Sequence, residues 1–308
     1  MVIMASSVRY AELHLHLEGT LDEITLHEIA PHFPEAEIKR RYQFTDFSGF
    51  LDSFKFAAMQ LRDADHYRLL ARRCFARLAG QGIVYAELIH SAGICLWRGL
   101  DARMIAEALV DEGQRAPLQV RWVFDAVRQL GSGHILETAK FTAQFRGTSV
   151  LAFGVGGDER GAPAEALRPA FDLAREQGFR LVPHAGETSN AQNVWDALSL
   201  GSHRIGHGIR AIEDPALVAE LSRRNIPLEI SLSSNVLTGA VPSYEAHPAK
   251  LLHDAGVPII LNTDDPAFFK TTLSREFELA QRLGFSAQDL ETIRLNAFRF
   301  AFGEPPLP

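Results

Sequence analysis

Short apolar segments alternate with amphipathic ones along almost the whole chain. Several of the amphipathic stretches end in Gly or Asn, which favour helix C-termini. These stretches space their apolar residues as a helix does, for example HYRLLARRCFARLAG, PAEALRPAFDLAREQG and PALVAELSRRN. Eight apolar segments have the length of buried β-strands: residues 11–17, 83–91, 120–127, 150–157, 180–186, 203–209, 227–234 and 258–265. The pattern therefore predicts strands and helices in alternation.

This alternation predicts an α/β protein with a parallel sheet covered by helices. Eight strand–helix units within 308 residues fit a (β/α)8 TIM barrel. A doubly wound open sheet is the alternative, but no GxGxxG motif follows the first strand. Residues 18–82 are too many for one crossover helix, so we expect extra helices between strands 1 and 2 near the barrel mouth. No linker-like segment divides the chain, which predicts a single domain over residues 1–308.

Composition excludes several classes of protein. A hydrophobic fraction of 46% and a charged fraction of 22% are typical of a soluble globular protein. The 31 basic and 38 acidic residues give a net charge of −7, which argues against a nucleic-acid partner. The opening MVIMASSVRY lacks the apolar core of a signal peptide, and no run approaches 18 apolar residues. We therefore expect a cytoplasmic protein without a membrane partner. The oligomeric state stays open, with a homo-oligomer as one possibility.

Chemically reactive residues collect where the predicted strands end. In a (β/α)8 barrel, active sites lie at the C-terminal ends of the strands and in the loops that follow. The residues that fall there are His14 and His16 in ELHLHLEGT, His184 and Glu187 in HAGET, His207 in RIGHG, and Asp264 and Asp265 in LNTDDP. Closure of the barrel would bring strands 1, 5, 6 and 8 around one mouth, so we expect this set to converge.

Each of these motifs also has an interpretation without chemistry. The HxH pair could be hydrogen-bonded core histidines, and His184 and Glu187 could sit at the N-terminus of a helix. His207 lies between two glycines and could serve a tight turn, while TDDP could start a helix with Pro266 at its first position. Taken together, the set favours a metal site. Three imidazoles and one carboxylate suit Zn²⁺, with other first-row divalent metals as competitors, better than Ca²⁺ or Mg²⁺.

The motifs occur in the order of a known family. ELHLHLEG, FLDSFKF, VYAEL, GGDE, HAGE, RIGHG, SSNVLTGA and LNTDDP run through nearly the whole chain. In this combination the sequence resembles the adenosine deaminase family of the metal-dependent amidohydrolases. The resemblance implies that one Zn²⁺ per chain is bound by His14, His16, His184 and Asp264. No lysine ends strand 4, where two-metal relatives often carry one, which favours a single ion.

The same resemblance implies roles in deaminating a 6-aminopurine. Glu187 would protonate purine N1, and His207 would lie beside the attacking hydroxide and stabilise charge. Asp265 would position hydroxide and contact N7, and the backbone N–H of Gly157 would meet N3. Ammonia would then leave C6. The substrate-binding set implied in this way is His16, Glu18, Phe50, Leu51, Phe54, Gly157 and Asp265.

Two features bear on which 6-aminopurine is the substrate. The helix containing Phe50, Leu51 and Phe54 is similar to the apolar flap of the nucleoside enzymes, although this spacing also suits plain core. Glu18 stands where adenosine deaminases generally carry the Asp that binds the ribose 5′-hydroxyl, and its extra methylene moves the carboxylate by about 1.5 Å. Enzymes for adenine and for some 5′-modified nucleosides carry Glu. We therefore expect a zinc-dependent deaminase of adenosine or a 5′-modified adenosine, with aminodeoxyfutalosine or free adenine as alternative substrates. Another mononuclear amidohydrolase, or a purine-binding relative without activity, is more remote.

Overall fold

Eight parallel strands form one sheet whose order follows the chain from β1 to β8. In the computed structural model, which describes residues 8–308, they are β1 Tyr10–His16, β2 Ile83–His90, β3 Gln119–Val127, β4 Val150–Gly156, β5 Arg180–Ala185, β6 Ile205–His207, β7 Leu228–Ile230 and β8 Ile259–Leu261. The backbone N–H of His16 donates to the carbonyl of Asp264 at 2.9 Å, and Leu15 and Asp264 form a parallel bridge. This contact joins β1 to the segment after β8. The (β/α)8 barrel prediction is confirmed, and the open-sheet alternative is wrong.

Four helices occupy the long interval between β1 and β2, as predicted: α1 Glu23–Ile29, α2 Glu35–Arg41, α3 Phe47–Ala58 and α4 Ala64–Gly80. The others are α5 Ala92–Trp97, α6 Ala102–Gln114, α7 Ser132–Ala143, α8 Ala164–Glu176, α9 Ala191–Ser199, α10 Pro215–Arg224, α11 Leu232–Leu237, α12 Ala249–Asp254, α13 Pro266–Phe269, α14 Leu273–Arg282 and α15 Ala287–Arg299. None of the helices within residues 8–308 is long and apolar enough to cross a bilayer. Residues 1–7, the start of the predicted domain, lie outside the described part.

The last three strands are shorter than their apolar segments predict. The prediction of strand over 227–234 is wrong beyond Ile230, because the chain turns there and Leu232–Leu237 is α11. Strands over 203–209 and 258–265 also shrink to three residues each. His207 has φ of 60° and Asp264 has φ of 63°. Left-handed backbone ends an extended strand and costs a non-glycine residue about 1–3 kcal/mol, a strain that clusters at functional sites.

The lower end of the barrel is filled by charged residues and by the chain that follows α15. Arg204, the residue before β6, is ion-paired to Glu87 and Glu229, and all three side chains are buried. Phe302 packs against the Arg204 guanidinium at 3.6 Å, and the Gly303 N–H donates to the Tyr85 hydroxyl at 2.9 Å. Buried charges are tolerated when they are paired in this way. The lower end of the barrel is therefore closed, and a cavity can open only at the C-terminal ends of the strands.

Candidate metal centre and active site

Four side chains from β1, β5 and the end of β8 converge at the barrel mouth. Each of His14, His16, His184 and Asp264 offers one ligand atom within 4.8 Å of the others, and all four residues are buried. The Nε2 atoms of His16 and His184 are 3.1 Å apart, and Asp264 Oδ1 is 3.5 Å from His16 Nε2. A tetrahedral ion with ligands at about 2.0–2.1 Å would space them by roughly 3.3 Å. The geometry therefore fits a divalent metal ion.

Hydrogen bonds to the Nδ1 atoms of His14 and His184 leave the Nε2 atom of each ring with a lone pair. The Nδ1 of His14 bonds to Glu229 Oε2 at 2.7 Å, and within residues 8–308 its Nε2 has no hydrogen-bond partner. The Nδ1 of His184 bonds to the Val155 carbonyl at 3.2 Å. Because carboxylate and carbonyl oxygens accept, each Nδ1 carries the proton and each Nε2 is free to bind a metal. The unpartnered Nε2 of His14 argues against the alternative that these are hydrogen-bonded core histidines, because such residues would not leave a buried ring nitrogen without a partner.

Glu229, which was not singled out from the sequence, holds His14 in place through the hydrogen bond to its Nδ1. Burial opposes its charge, but Arg204 and the bond from His14 hold the pKa of the Glu229 carboxyl below its usual value. Asn262 Oδ1 accepts the backbone N–H groups of Leu13 and His14 at 2.9 and 3.0 Å, which fixes the β1 backbone. The sequence signal for Glu229 is a lone carboxylate within the apolar segment PLEISLSS.

Two further polar groups lie beside the cluster. His207 Nε2 is 3.7 Å from Glu187 Oε2 and 3.9 Å from Asp264 Oδ2. Burial raises the pKa of Glu187 well above its ordinary value, and the negative charges of Asp264 and Glu159 raise it further. Burial also lowers the pKa of His207 to about 3. The arrangement therefore pairs a carboxyl that favours its protonated form with a neutral imidazole, as proton transfer to a substrate requires.

Two buried charged side chains, those of Glu159 and Arg128, form hydrogen bonds to the backbone of the HAGE segment and the residues that follow it. The carboxylate of Glu159, in the GGDE motif, accepts the backbone N–H groups of Gly186, Glu187 and Ser189 at 3.0, 2.7 and 3.3 Å. The Arg128 guanidinium donates to the carbonyl of His184 at 2.7 Å. Neither contact was predicted from the sequence.

The interpretation of His184 as the cap of a helix is wrong. The helix that follows them is α9, which begins at Ala191, and its N-cap is Asn190. The Asn190 side chain accepts the backbone N–H of Gln192 at 3.0 Å. His184 therefore lies in β5 and Glu187 in the loop between β5 and α9.

The interpretation of TDDP as a helix start is correct for the backbone, whereas His207 is the last residue of β6. Asp265 is the N-cap of α13 and Pro266 is its first residue. The Asp265 side chain accepts no capping bond from the described chain, and its buried Oδ1 is without a partner there. A Cβ at Gly19 would overlap this carboxylate, so the glycine of HLEG makes room for it. The helix start thus leaves the Asp265 carboxylate available to the site.

A cavity of about 350 Å³ opens above the cluster. This volume is in the range of sites that enclose small-molecule ligands. The residues lining it are His16, Phe47, Phe50, Leu51, Phe54, Lys55, Ala58, Met59, Ser91, Ile94, Trp97, Asp125, Val127, Gln129, Leu130, Gly156, Gly157, His184, Glu187, His207, Asp264 and Asp265. The predicted flap residues are among them, because α3 lies across the mouth.

The aromatic side chains of α3 contact both the cavity and the core. The Phe54 ring is 6.3 Å from the His16 ring at the cavity wall, whereas the buried Phe50 packs on Phe269 at 5.0 Å. Gly157 has φ of 88°, and a Cβ there would overlap Gln129. The structure thus places Gly157 in the wall, where its backbone lies open to a ligand.

Glu18 is buried beside the cavity, behind Ser91. Its Oε1 bonds to His90 Nδ1 at 2.9 Å and accepts the Ser91 N–H at 3.1 Å, while its Oε2 is unpartnered within the described chain. Burial opposes a charge on His90, but the negative charge of Glu18 outweighs it and raises the pKa of His90 to about 10. Asp125, missed from the sequence, is a second buried carboxyl in the wall, and burial raises its pKa to about 8.

A (β/α)8 barrel with a His₃Asp metal cluster and a buried carboxyl at its mouth defines a metal-dependent hydrolase of the amidohydrolase type. Comparison with known proteins narrows this class. The sequence model described as adenosine deaminase matches residues 10–306. The chain therefore belongs to the adenosine deaminase family, as its motifs predicted, and it is a hydrolase of the kind that cleaves C–N bonds in cyclic amidines.

Relatives with different substrates match over most of the chain. Aminodeoxyfutalosine deaminase of Streptomyces avermitilis is 36% identical over 89% of this chain and 80% of its own length. Adenine deaminase of Rhizobium meliloti is 34% identical over 98% and 97%. Adenine deaminase from Arthrobacter aurescens superposes with a TM-score of 0.89, at 28% identity over 96% and 94%. An amidohydrolase from Burkholderia ambifaria, solved with bound zinc, superposes at 0.88, with 25% identity over 96% and 86%.

Proposed function

We propose that this protein uses one zinc ion per chain to deaminate a 6-aminopurine nucleoside, giving the 6-oxopurine and ammonia. The observation that carries the proposal is the buried carboxyl of Glu187 close to the His₃Asp cluster, in the wall of a cavity of ligand size. The zinc-containing structural neighbour supports the choice of metal. A bound zinc ion would lower the pKa of a water to about 7 and so supply hydroxide at neutral pH.

The side chains around the cluster then have complementary tasks. Glu187 delivers its proton to purine N1, which withdraws electrons from C6 and opens that carbon to attack. His207 and Asp265 orient the attacking hydroxide, and Asp265 also contacts N7. The backbone N–H of Gly157 bonds to N3. Hydroxide adds at C6, the proton of the new C6 hydroxyl passes to the amino group, and the C6–N bond breaks to release ammonia and leave C6=O. The proton lost when water becomes hydroxide returns Glu187 to its protonated form.

The cavity favours a substrate that is larger than the base. From the cluster it extends along α3 to Met59 and Trp97, which are 37% and 53% exposed. These apolar side chains would contact a group attached at N9. Glu18, whose Oε2 is unpartnered within the described chain, lies behind Ser91 of the cavity wall. We therefore place adenosine with a 5′ substituent, the aminodeoxyfutalosine type, ahead of plain adenosine.

Free adenine is the second candidate. It is favoured by Glu18, whose carboxylate reaches about 1.5 Å further than the Asp of adenosine deaminases. The adenine deaminases among the relatives support the same choice. Relative kcat/KM values for adenine, adenosine and a 5′-substituted adenosine separate these substrates, and we expect the substituted nucleoside to be turned over best.

The test is loss of the adenine ultraviolet absorption band when zinc-loaded protein is incubated with this panel. Absence of turnover with every member would overturn the proposal. Glu187→Gln should keep its zinc, measured by elemental analysis, and lose activity by about 10²–10⁴-fold, since general acid catalysis contributes that much. A purine-binding protein without activity would bind adenine compounds equally well with and without this substitution.

A further inference from the structure

A line of hydrogen bonds leads from the backbone of α12 to the ring of His207. The Ala249 N–H donates to His247 Nδ1 at 3.1 Å. His247 Nε2 bonds to Asn235 Oδ1 at 3.1 Å, and Asn235 Nδ2 bonds to His207 Nδ1 at 3.1 Å. All three side chains are buried.

The direction of every bond in this line follows from its first donor. A backbone amide can only donate, so His247 Nδ1 carries a lone pair and the proton of the neutral ring is on Nε2. His247 Nε2–H therefore donates to the Asn235 carbonyl oxygen. That bond turns the amide so that its NH₂ group faces His207. Burial lowers the pKa of His247 to about 4, which keeps the ring neutral near pH 7.

We infer that Asn235 and His247 are positioning residues that fix His207 as the tautomer with its proton on Nε2. His207 Nδ1 accepts from Asn235, so the ring nitrogen that faces Glu187 and Asp264 presents an N–H. His207 then donates a hydrogen bond to a negatively charged oxygen at the reacting centre. It cannot receive the proton of the attacking water at that nitrogen. This inference rests on the proposed function for the identity of the oxygen, but not for the tautomer itself.

Asn235→Asp changes the direction of the last bond and keeps the others. The new carboxylate still accepts from His247, but toward His207 it can only accept, so the proton of His207 must move to Nδ1. Losing one such donor at a reacting oxyanion typically costs about 10²–10³-fold in kcat. We therefore expect kcat to fall by that factor with KM and zinc content nearly unchanged. Wild-type kcat in Asn235→Asp would overturn the inference.

His247 supplies a matched pair of controls. His247→Gln retains an amide N–H that can donate to Asn235 Oδ1, so most of the wild-type kcat should remain. His247→Leu has no donor and frees the Asn235 amide to turn, so kcat should fall toward that of Asn235→Asp. A purely structural role predicts similar losses in both variants, scaling with their drop in melting temperature.

The tautomer can be observed without activity. Long-range ¹H–¹⁵N correlation spectra of ¹⁵N-histidine-labelled wild-type protein show which ring nitrogen carries the proton. The His207 signals are identified, among those of the 12 histidines, by their absence in His207→Asn. We expect Nε2–H in the wild type and a protonated Nδ1 in Asn235→Asp. Nδ1–H in the wild type would overturn the inference, whereas failure of every purine substrate would overturn the proposed function and leave the spectrum unchanged.

Discussion

Glu229→Gln tests how the barrel interior holds His14, one of the proposed metal ligands. The Glu229 and His14 side chains are fully buried, and their bond of 2.7 Å keeps the proton on His14 Nδ1. A glutamine amide can turn its NH₂ group to His14, which would require the lone pair at Nδ1 and so place the proton on the metal-binding Nε2. Such supporting partners typically contribute 10–100-fold to metal affinity. At about 1.4 kcal/mol per factor of ten, the expected loss is roughly 1.4–2.8 kcal/mol of zinc binding.

The same substitution also removes a counter-charge from Arg204, so stability will change as well. Breaking a buried ion pair costs about 3–5 kcal/mol of folding free energy. Glu87→Gln is the matched control, because Glu87 Oε2 accepts from Arg204 at 2.5 Å. Its other oxygen accepts from the Tyr85 hydroxyl at 2.7 Å and serves no metal ligand. Both variants should therefore lose similar stability, but Glu229→Gln alone should lose zinc affinity.

Competition with a chromophoric chelator measures zinc affinity, and urea unfolding of the metal-free proteins measures stability. The two measurements separate the role of Glu229 in folding from its role toward His14. Equal zinc affinity in Glu229→Gln and Glu87→Gln would contradict this expectation, because it would mean that the bond to His14 Nδ1 does not determine how well Nε2 binds the ion.

Three more predictions follow from buried groups around the cavity. Glu18→Asp should raise kcat/KM for adenosine relative to a 5′-substituted adenosine, because the carboxylate withdraws by about 1.5 Å; an unchanged ratio would show that Glu18 does not select the substrate. Glu159→Gln removes a charge that raises the pKa of Glu187, so the alkaline fall in kcat/KM should move to lower pH with zinc content unchanged; an unmoved profile would contradict this coupling. His247 has a pKa of about 4 in the folded state against about 6.5 unfolded, so the unfolded state binds the extra proton between these values and stability falls as pH falls. Urea unfolding should show wild-type protein losing about 2 kcal/mol more than His247→Gln between pH 7 and pH 5.

The fold and the position of the site followed from patterns that are local in sequence. Apolar segments alternating with helical ones are enough to predict the barrel, and the rule that strand ends meet at one rim then places His14, His184 and Asp264 together. No knowledge of packing is needed for either step. The strand ends were less predictable, because they depend on backbone conformation. At His207 and Asp264 the chain adopts positive φ, which apolar periodicity does not report.

The residues that support the site were missed because their partners are distant in sequence. Glu159 binds a loop 27 or more positions away, and Glu229 bonds to His14 across 215 positions. Such contacts depend on strand register and loop packing, which a single sequence does not contain. A usable signal did exist in two cases. Asp125 and Glu229 are lone carboxylates inside apolar strands, and a buried charge requires a partner or a function.

The segment from β7 into α11 supplies no metal ligand, yet it determines the proton positions of two histidines in the site. Glu229 accepts from Nδ1 of His14 and leaves Nε2 free for a metal, whereas Asn235 donates to Nδ1 of His207 and leaves Nε2 with a proton. The two imidazoles lie with ring centroids 5.2 Å apart, so they experience nearly the same electrostatic potential. That potential alone would not make one ring a metal ligand and the other a hydrogen-bond donor. A carboxylate and an amide six positions apart do so, because one can only accept and the other can donate. The division of labour between ligand and hydrogen-bond donor at this site is therefore set by the neighbours of the histidines.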